Sequence, residues 1–447
     1  MKNYKEFFKG KKITMLGLGL LGRGLNDAKF LAECGADLIV TDLKTEEQLK
    51  PTLNKLDKYK NIKYVLGEHR LEDFTHRDFI IKAAGVPLDS PHILEAKRKN
   101  IPVEMDEVLF TKLVKDAITI GVTGTRGKTT VTYLVYEILK VAFPGKVHLG
   151  GNIKGLATLP LLKKVKSGDI VVMELSSWQL QGWGDSKMSP HISVFTNFMD
   201  DHLNYYKKIS KSEEEAKAKY FYDKSSIYIN QKEKDFLICG EGMGNKKIET
   251  LGIKIISKKE DVPKNWKLKI KGEHNLENIA SAIKVAEILN VSEKIIKKVV
   301  ENFAGVEGRQ EFLREYKGIK IYNDTTATTP DATIVALKSL QGGTLKDRNI
   351  VLIMGGADKT LDMSELVKEV PKYCKKVILL PGTGTEKLGG KIDGVLVKSL
   401  KEGLIEALKW VNKGDILLFS PAFASFGMFK NEFDRGEKFV KLVKKLK

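Results

Sequence analysis

Short apolar runs alternate with helical periodicity along most of the chain. Ile13-Thr14-Met15-Leu16 is an apolar run of strand length, and a helical stretch follows it to about Cys34. Leu38-Ile39-Val40 and Phe79-Ile80-Ile81 are the next runs. A second block opens with Ala117-Ile118-Thr119-Ile120-Gly121-Val122, leading into a Gly/Thr loop and a helix. It continues through Ile170-Val171-Val172-Met173 and Ile192-Ser193-Val194-Phe195 to a Lys/Glu-rich segment, with short strands predicted around Ser226–Ile229. A third block, from near Gly305, holds the runs 319–322, 350–354, 377–380 and 416–419. Strands separated by helices predict βαβ units and parallel sheets. The pattern divides into three α/β domains, expected at 1–105, 106–305 and 306–447.

Composition narrows the class. With 447 residues, 42% apolar and 30% charged, the chain can bury several cores, which excludes wholesale disorder. No run approaches the roughly 18 apolar residues of a membrane span, and the N-terminus lacks the apolar stretch of a secretory signal. Cys34, Cys239 and Cys374 lie far apart, as expected of reduced thiols in a cytoplasm. The net charge of +19 invites a nucleic-acid reading. Its distribution argues against one, because lysines mix with acids throughout, as in Lys211-Ser212-Glu213-Glu214-Glu215-Ala216-Lys217. A lysine-rich surface or attraction for anionic small substrates fits better. The basic amphipathic segment 438–447 reads as a surface helix packed on its own domain rather than as a membrane-surface helix.

Two glycine motifs carry chemistry. Gly17-Leu18-Gly19-Leu20-Leu21-Gly22 follows a strand and opens a helix, and Asp42 ends the next strand. This is a dinucleotide-binding fingerprint. Alone it admits a nicotinamide dinucleotide, another diphosphate such as a nucleotide sugar, or a turn without ligand. Gly121-Val122-Thr123-Gly124-Thr125-Arg126-Gly127-Lys128-Thr129-Thr130 is a phosphate loop, with Val122 where the strict pattern has its first glycine. Lys128 supplies a charge for β/γ-phosphates and the Thr129 hydroxyl a ligand for Mg²⁺.

The loop Gly-x-x-Gly-Thr-x-Gly-Lys-Thr resembles the ATP loop of the Mur ligases, the ATP-dependent amide-forming enzymes of peptidoglycan synthesis. Further matching segments follow in order: Gly150-Gly151-Asn152-Ile153, Glu174-Leu175-Ser176-Ser177-Trp178-Gln179-Leu180, Asn197-Phe198-Met199-Asp200-Asp201-His202-Leu203 and His274-Asn275-Leu276-Glu277-Asn278. They continue with Gly308-Arg309-Gln310-Glu311, Asn323-Asp324-Thr325-Thr326-Ala327-Thr328, Met354-Gly355-Gly356-Ala357-Asp358-Lys359 and 420–431 with Arg435-Gly436. The N-terminal glycine motif and the C-terminal Ser-Pro-Ala-x-Ala-Ser most resemble the D-glutamate-adding branch.

The resemblance implies an α/β fold of three domains: a Rossmann-like N-terminal domain for UDP, a central P-loop-type ATPase domain with a mostly parallel sheet, and a Rossmann-like C-terminal domain for the amino acid. It implies a cytoplasmic, monomeric enzyme acting on ATP, UDP-N-acetylmuramoyl-L-alanine and D-glutamate, with neither nucleic acid nor membrane as partner. Leu20, Leu21 and Asp42 become UDP contacts. Gly124, Thr125, Gly127, Lys128, Thr129 and Thr130 hold ATP phosphates, Asn275 and Asn278 the adenine, and Arg309 and Asp324 the phosphates and ribose. Thr129, Glu174 and His202 are implied ligands for two Mg²⁺ ions. Lys217, 15 residues after His202, is implied to be carbamylated and to orient magnesium. Lys128, His202, Lys217, Asn152 and Arg309 are the implied catalytic set, with Asn152 and Ser176 lining the substrate site. Thr328, Lys359, Ser425 and Phe429 fall at the D-glutamate site. From the residues alone, His202 reads as a loop histidine and Lys217 and Lys359 as solvated lysines.

The sequence departs from the family pattern in three places. Gly308 stands where His is common before the arginine, Thr326 where Lys is common, and Glu432-Phe433 where Phe-Glu is usual. Another Mur-type or folylpolyglutamate-type ligase with a different amino acid is the alternative. A basic nucleic-acid-binding ATPase and a dehydrogenase are remoter ones.

Overall fold

The computed structural model describes residues 3–20, 22–114, 116–199, 203–243, 247–341 and 348–446. The chain forms two compact units, residues 1–266 with 277–300, and residues 267–276 with 301–447.

The first unit carries two sheets. Strands β1 (Lys12–Leu16), β2 (Asp37–Asp42), β3 (Ile62–Leu66), β4 (Phe79–Lys82) and β5 (Val103–Glu104) lie in the order β3-β2-β1-β4-β5, all parallel. Strands β6 (Ile118–Thr123), β7 (Val147–Gly151), β8 (Ile170–Glu174), β9 (Ile192–Phe195), β10 (Phe236–Gly240) and β11 (Ile253–Ser257) form a second parallel sheet, β11-β10-β9-β6-β8-β7. Parallel strands buried on both faces need continuous apolar runs. All of β4, β8 and β9 is buried accordingly. The glycine motif leaves β1 where the strand order reverses, and the phosphate loop leaves β6 between β9 and β8. Both are at the carboxyl ends of strands, where open α/β sheets bind ligands.

The second unit holds β12 (Glu311–Tyr316), β13 (Ile319–Asn323), β14 (Ile350–Gly355), β15 (Cys374–Leu380), β16 (Val395–Leu396) and β17 (Ile416–Phe419). Their order is β12-β13-β17-β14-β15-β16, and only the β12–β13 pair is antiparallel. The C-terminal helix Glu432–Lys444 is capped by Asn431, whose side-chain oxygen accepts from Phe433 N at 3.0 Å and Asp434 N at 2.9 Å. It buries Phe439 against Phe419, with ring centres 4.5 Å apart. That is the packing expected of a surface helix on its own domain.

The apolar runs of the sequence lie in strands, with one exception. Ser226–Ile229 is not a strand. It continues the helix Glu213–Ser225 as tight turns, with Ile227 N bonding Lys224 O at 3.2 Å and Tyr228 N bonding Ser225 O at 2.9 Å. Ile227 and Tyr228 are buried. A buried apolar tetrapeptide reads alike as a strand or as a packed helix end. All three cysteines are buried free thiols. Among the described residues, no helix is long and apolar enough to cross a membrane.

Candidate active site

The phosphate loop ends in Gly127, which caps the helix Lys128–Ala142 in a left-handed conformation at φ 82°. A Cβ at Gly127 would meet the Asn278 side-chain oxygen at 2.2 Å and push it aside, and the left-handed φ itself disfavours any side chain here. The first turn of a helix offers N–H groups without intrahelical acceptors, and its dipole favours an anion. Around it the loop is braced. Thr125 N donates to Asn197 O at 2.9 Å, Arg126 N to Asn197 Oδ1 at 2.9 Å, and Thr196 Oγ1 to Arg126 O at 2.6 Å. The Lys128 ammonium folds back onto Gly124 O at 3.0 Å and Thr125 O at 2.9 Å. Thr130 is buried, and Thr129 partly so.

Glu174 ends β8 directly opposite Val122 at the root of the loop. It is 4% exposed. Asn152 binds it twice: its N donates to Glu174 O at 2.7 Å and its Nδ2 to Oε1 at 3.2 Å. The second oxygen, Oε2, is buried without a hydrogen-bond partner. A buried carboxylate oxygen left unpaired is costly, and a hard oxygen donor of this kind suits Mg²⁺. The residues present therefore fit a magnesium ion. Ser176 follows, and its hydroxyl caps the helix Ser177–Asp185 in a capping box with Gln179.

His202 lies outside the described residues, as does Leu21. Lys217 sits on the helix Glu213–Ser225, with its ammonium 3.2 Å from Glu213 and its side chain 37% exposed. Lys207 shares that carboxylate at 2.8 Å, and the two lysines hold the Glu213 carboxyl below its usual range. Ion pairing favours the charged amine, so a carbamate on Lys217 would have to displace Glu213. Among the described residues, no three His, Cys, Asp or Glu side chains form a metal cluster.

In the N-terminal glycine loop, Asp42 Oδ2 accepts from Leu18 N at 2.9 Å and Gly19 N at 2.8 Å, and Oδ1 from Lys44 N at 2.9 Å. Burial pushes this carboxyl up, but the three N–H donors and Lys44 outweigh it and hold it below the usual range. In this geometry Asp42 braces the loop. Leu20 projects from it, 46% exposed. The helix Arg23–Glu33 behind the loop is pinned by Arg23, which bonds Asp106 at 2.8 Å and Glu107 at 2.9 Å. Asp106 also accepts from Thr158 N at 3.0 Å.

In the second unit, Asp324 follows β13 and is 6% exposed. It accepts from Ser420 Oγ at 2.7 Å and Gln310 N at 3.0 Å. Burial raises its carboxyl to about 7, against the pull of those bonds and of the Arg309 and Arg435 charges. Lys359 donates to Thr328 Oγ1 at 2.9 Å, which brings two of the expected D-glutamate residues together. Ser425 and Phe429 line one shallow cleft with Gly355, Ala424, Phe426 and Arg435. Asn275 donates to Lys271 O at 2.7 Å. It lies three residues before Asn278 on the helix Glu273–Ile288, so the two share a face.

Arg435 and Ser420 belong to the C-terminal motif and act as supports of the site. Arg435 is fully buried and bonds Thr325 O at 2.7 Å and Phe423 O at 3.1 Å, tying the 324–328 loop to the 420–426 loop. Burial lowers its guanidinium to about 10. Lys224, also fully buried, touches the phosphate loop and carried no signal in the sequence.

Comparison with known proteins agrees with this arrangement along the chain. The model for the Mur ligase MurD-like N-terminal domain matches residues 11–104, that for the Mur ligase middle domain 122–261, and that for the Mur ligase glutamate ligase domain 308–423. UDP-N-acetylmuramoylalanine–D-glutamate ligase of Borreliella afzelii is 36% identical, covering 97% of this chain and 98% of its own. The ligase of the same name from Clostridioides difficile is 34% identical, covering 98% and 99%. Among solved structures, UDP-N-acetylmuramate–alanine ligase MurC of Thermotoga maritima superposes with a TM-score of 0.61 at 20% identity, over 97% of this chain and 99% of that one. The MurF ligase of Thermotoga maritima in complex with ADP gives 0.59 at 18%, over 99% and 96%. With three domain models matched in order and relatives aligned end to end, the chain belongs to the Mur ligase family.

Proposed function

We propose that this protein is an ATP-dependent ligase that joins D-glutamate to UDP-N-acetylmuramoyl-L-alanine in the cytoplasm, as a step of peptidoglycan precursor synthesis. The full-length relatives named for that reaction support the substrate assignment. The observation that carries the chemistry is the phosphate loop rooted beside Glu174, a buried carboxylate with one unpartnered oxygen. Residues 1–105 are assigned to UDP, 106–305 to ATP and 306–447 to the amino acid.

A carboxylate is a poor electrophile, so it must first gain a leaving group. The L-alanine carboxylate of the acceptor attacks the γ-phosphorus, which releases ADP and leaves an acyl phosphate. The D-glutamate amine attacks the acyl carbon, and inorganic phosphate departs as the amine loses its proton. Lys128 transfers from its loop carbonyls to the β/γ-phosphates and offsets the repulsion between two anions. Glu174, Thr129 and His202 are the residues that would hold magnesium, which would supply positive charge to neutralise the phosphates. Asn152 keeps the Glu174 carboxylate oriented through its amide, and a carbamate on Lys217, formed once Glu213 is displaced, would complete the set. Asn275 and Asn278 offer donor and acceptor groups to adenine. Arg309 and Asp324 are assigned to the nucleotide, as the family resemblance implies. Thr328, Lys359, Ser425 and Phe429 receive D-glutamate, whose two carboxylates suit an ammonium flanked by hydroxyls. Leu20 and the glycine loop braced by Asp42 receive UDP, with Leu21 and Ser176 beside the substrate.

The test is phosphate and ADP release with each reactant omitted in turn. Release should require ATP, Mg²⁺ and UDP-N-acetylmuramoyl-L-alanine, and Lys128→Ala should abolish it, a loss of at least about a thousandfold. ATPase activity indifferent to the UDP-sugar would contradict the reading.

A further inference from the structure

A second ammonium sits in the phosphate loop. Lys224, on the helix Glu213–Ser225, is 1% exposed and donates to Gly124 O at 2.8 Å, 100 residues away in sequence. Its charge lies 4.9 Å from the centre of the Tyr220 ring, a cation–π contact. The Tyr220 hydroxyl is 3.5 Å from Thr125 Oγ1 in the same loop. Gly124 O is thus shared by two lysines, because Lys128 also bonds it at 3.0 Å.

The two lysines differ in what they can leave. Lys128 opens the helix beneath the loop and is only partly buried, so it can swing toward an incoming phosphate. When it does, Gly124 O and Thr125 O each lose a donor. A buried carbonyl stripped of its partner costs free energy comparable to a lost hydrogen bond. Gly124 also sits in a conformation that favours glycine, close against Thr196 and Asn197. Its φ is 144°, and a Cβ there would meet Thr196 Oγ1 at 2.0 Å, so the peptide is packed tightly against β9's exit.

We propose that Lys224 is a positioning residue for nucleotide binding: its buried ammonium keeps the Gly124 carbonyl satisfied and the loop in shape while Lys128 transfers to the phosphates. Lys224 acts through the loop and does not touch substrate. The inference rests on the reading that the loop binds nucleotide.

Nucleotide affinity measured by calorimetry, with ADP or ATP and Mg²⁺ and no other substrate, tests it. Lys224→Met should weaken binding about tenfold or more, and the KM for ATP should rise in step. The kcat at saturating ATP should stay within about threefold, and the KM values of the other two substrates should not move. Lys224→Gln, which can still donate one hydrogen bond, should fall between Met and the native residue. Native-like affinity in Lys224→Met overturns the proposal, and so does an equal rise in all three KM values. Failure of the native protein to bind nucleotide refutes instead the reading on which it rests. Amine labelling of the native protein gives a reading that needs no variant. Lys224 should stay unreactive with and without ADP, and labelling of Lys224 on nucleotide binding overturns the proposal.

Discussion

Glu174 joins a structural cost to a chemical use. Its Oε2 is buried with no hydrogen-bond partner, which a protein tolerates only where something else uses the atom. Glu174→Gln keeps the Oε1 contact with Asn152 and removes an uncompensated charge. It should therefore cut kcat by about a hundredfold or more while leaving the melting temperature equal to or above the native value. Parallel thermal melts and initial rates check this, and a variant that loses both stability and activity would assign Glu174 to structure. Asp324 gives a pH signature. Its carboxyl lies at about 7 in the folded protein against 3.8 ordinarily. Between about pH 4 and about pH 7 the folded state keeps a proton that the unfolded state has released, so stability from this group falls as pH rises and levels off above that window. Urea denaturation across pH 4–8 should show that slope in the native protein and not in Asp324→Asn. Of these residues, the sequence motif located Glu174 but not its orphaned oxygen. Arg435 and Lys224 were invisible as site supports because their partners lie 110 and 100 residues away.

Local elements explain what was legible. The phosphate loop is written in ten consecutive residues between one strand and one helix, so its position follows from spacing alone. Runs such as Ile350–Gly355 are buried throughout and read directly as parallel strands. Val147–Gly151 ends in two glycines and Ile253–Ser257 is half-exposed, so neither announces itself. Ser226–Ile229 misled because burial, which it shares with a strand, says nothing of backbone conformation. The helix Glu213–Ser225 matters most here. Ser212 caps it, with Glu215 N on its hydroxyl at 3.2 Å, and three glutamates fill its first turn, where the dipole favours them. One of these, Glu213, holds Lys217, while the far end of the same helix holds the phosphate loop through Lys224. If Lys217 carries the proposed carbamate, Lys217→Ala should be impaired about a hundredfold and partly restored by added short carboxylates that take its place. Activity measured against acetate or formate concentration decides it, and full native activity in the variant would remove Lys217 from the site.

For the molecule as a whole, the +19 charge is the excess that remains after lysines and acids are counted against each other. Many lysines are committed to local ion pairs, such as Lys112 with Glu104 and Lys368 with Glu365. Exposed pairs of this kind contribute little to stability. The substrates proposed here are all anionic, which gives the excess a modest use in capture. The fold and reaction class were legible because each of the three domains carries its own motif at the carboxyl end of a strand. The choice of D-glutamate was legible only through resemblance of the N-terminal and C-terminal motifs, which the relatives named for that reaction match, while Gly308 and Thr326 depart from the family pattern. The most direct test is therefore an amino-acid panel with UDP-N-acetylmuramoyl-L-alanine, ATP and Mg²⁺. D-glutamate, L-alanine, glycine, L-lysine and meso-diaminopimelate would be compared by phosphate release and product mass. The account predicts a ligated product with D-glutamate alone. An inert D-glutamate beside a productive competitor would contradict it.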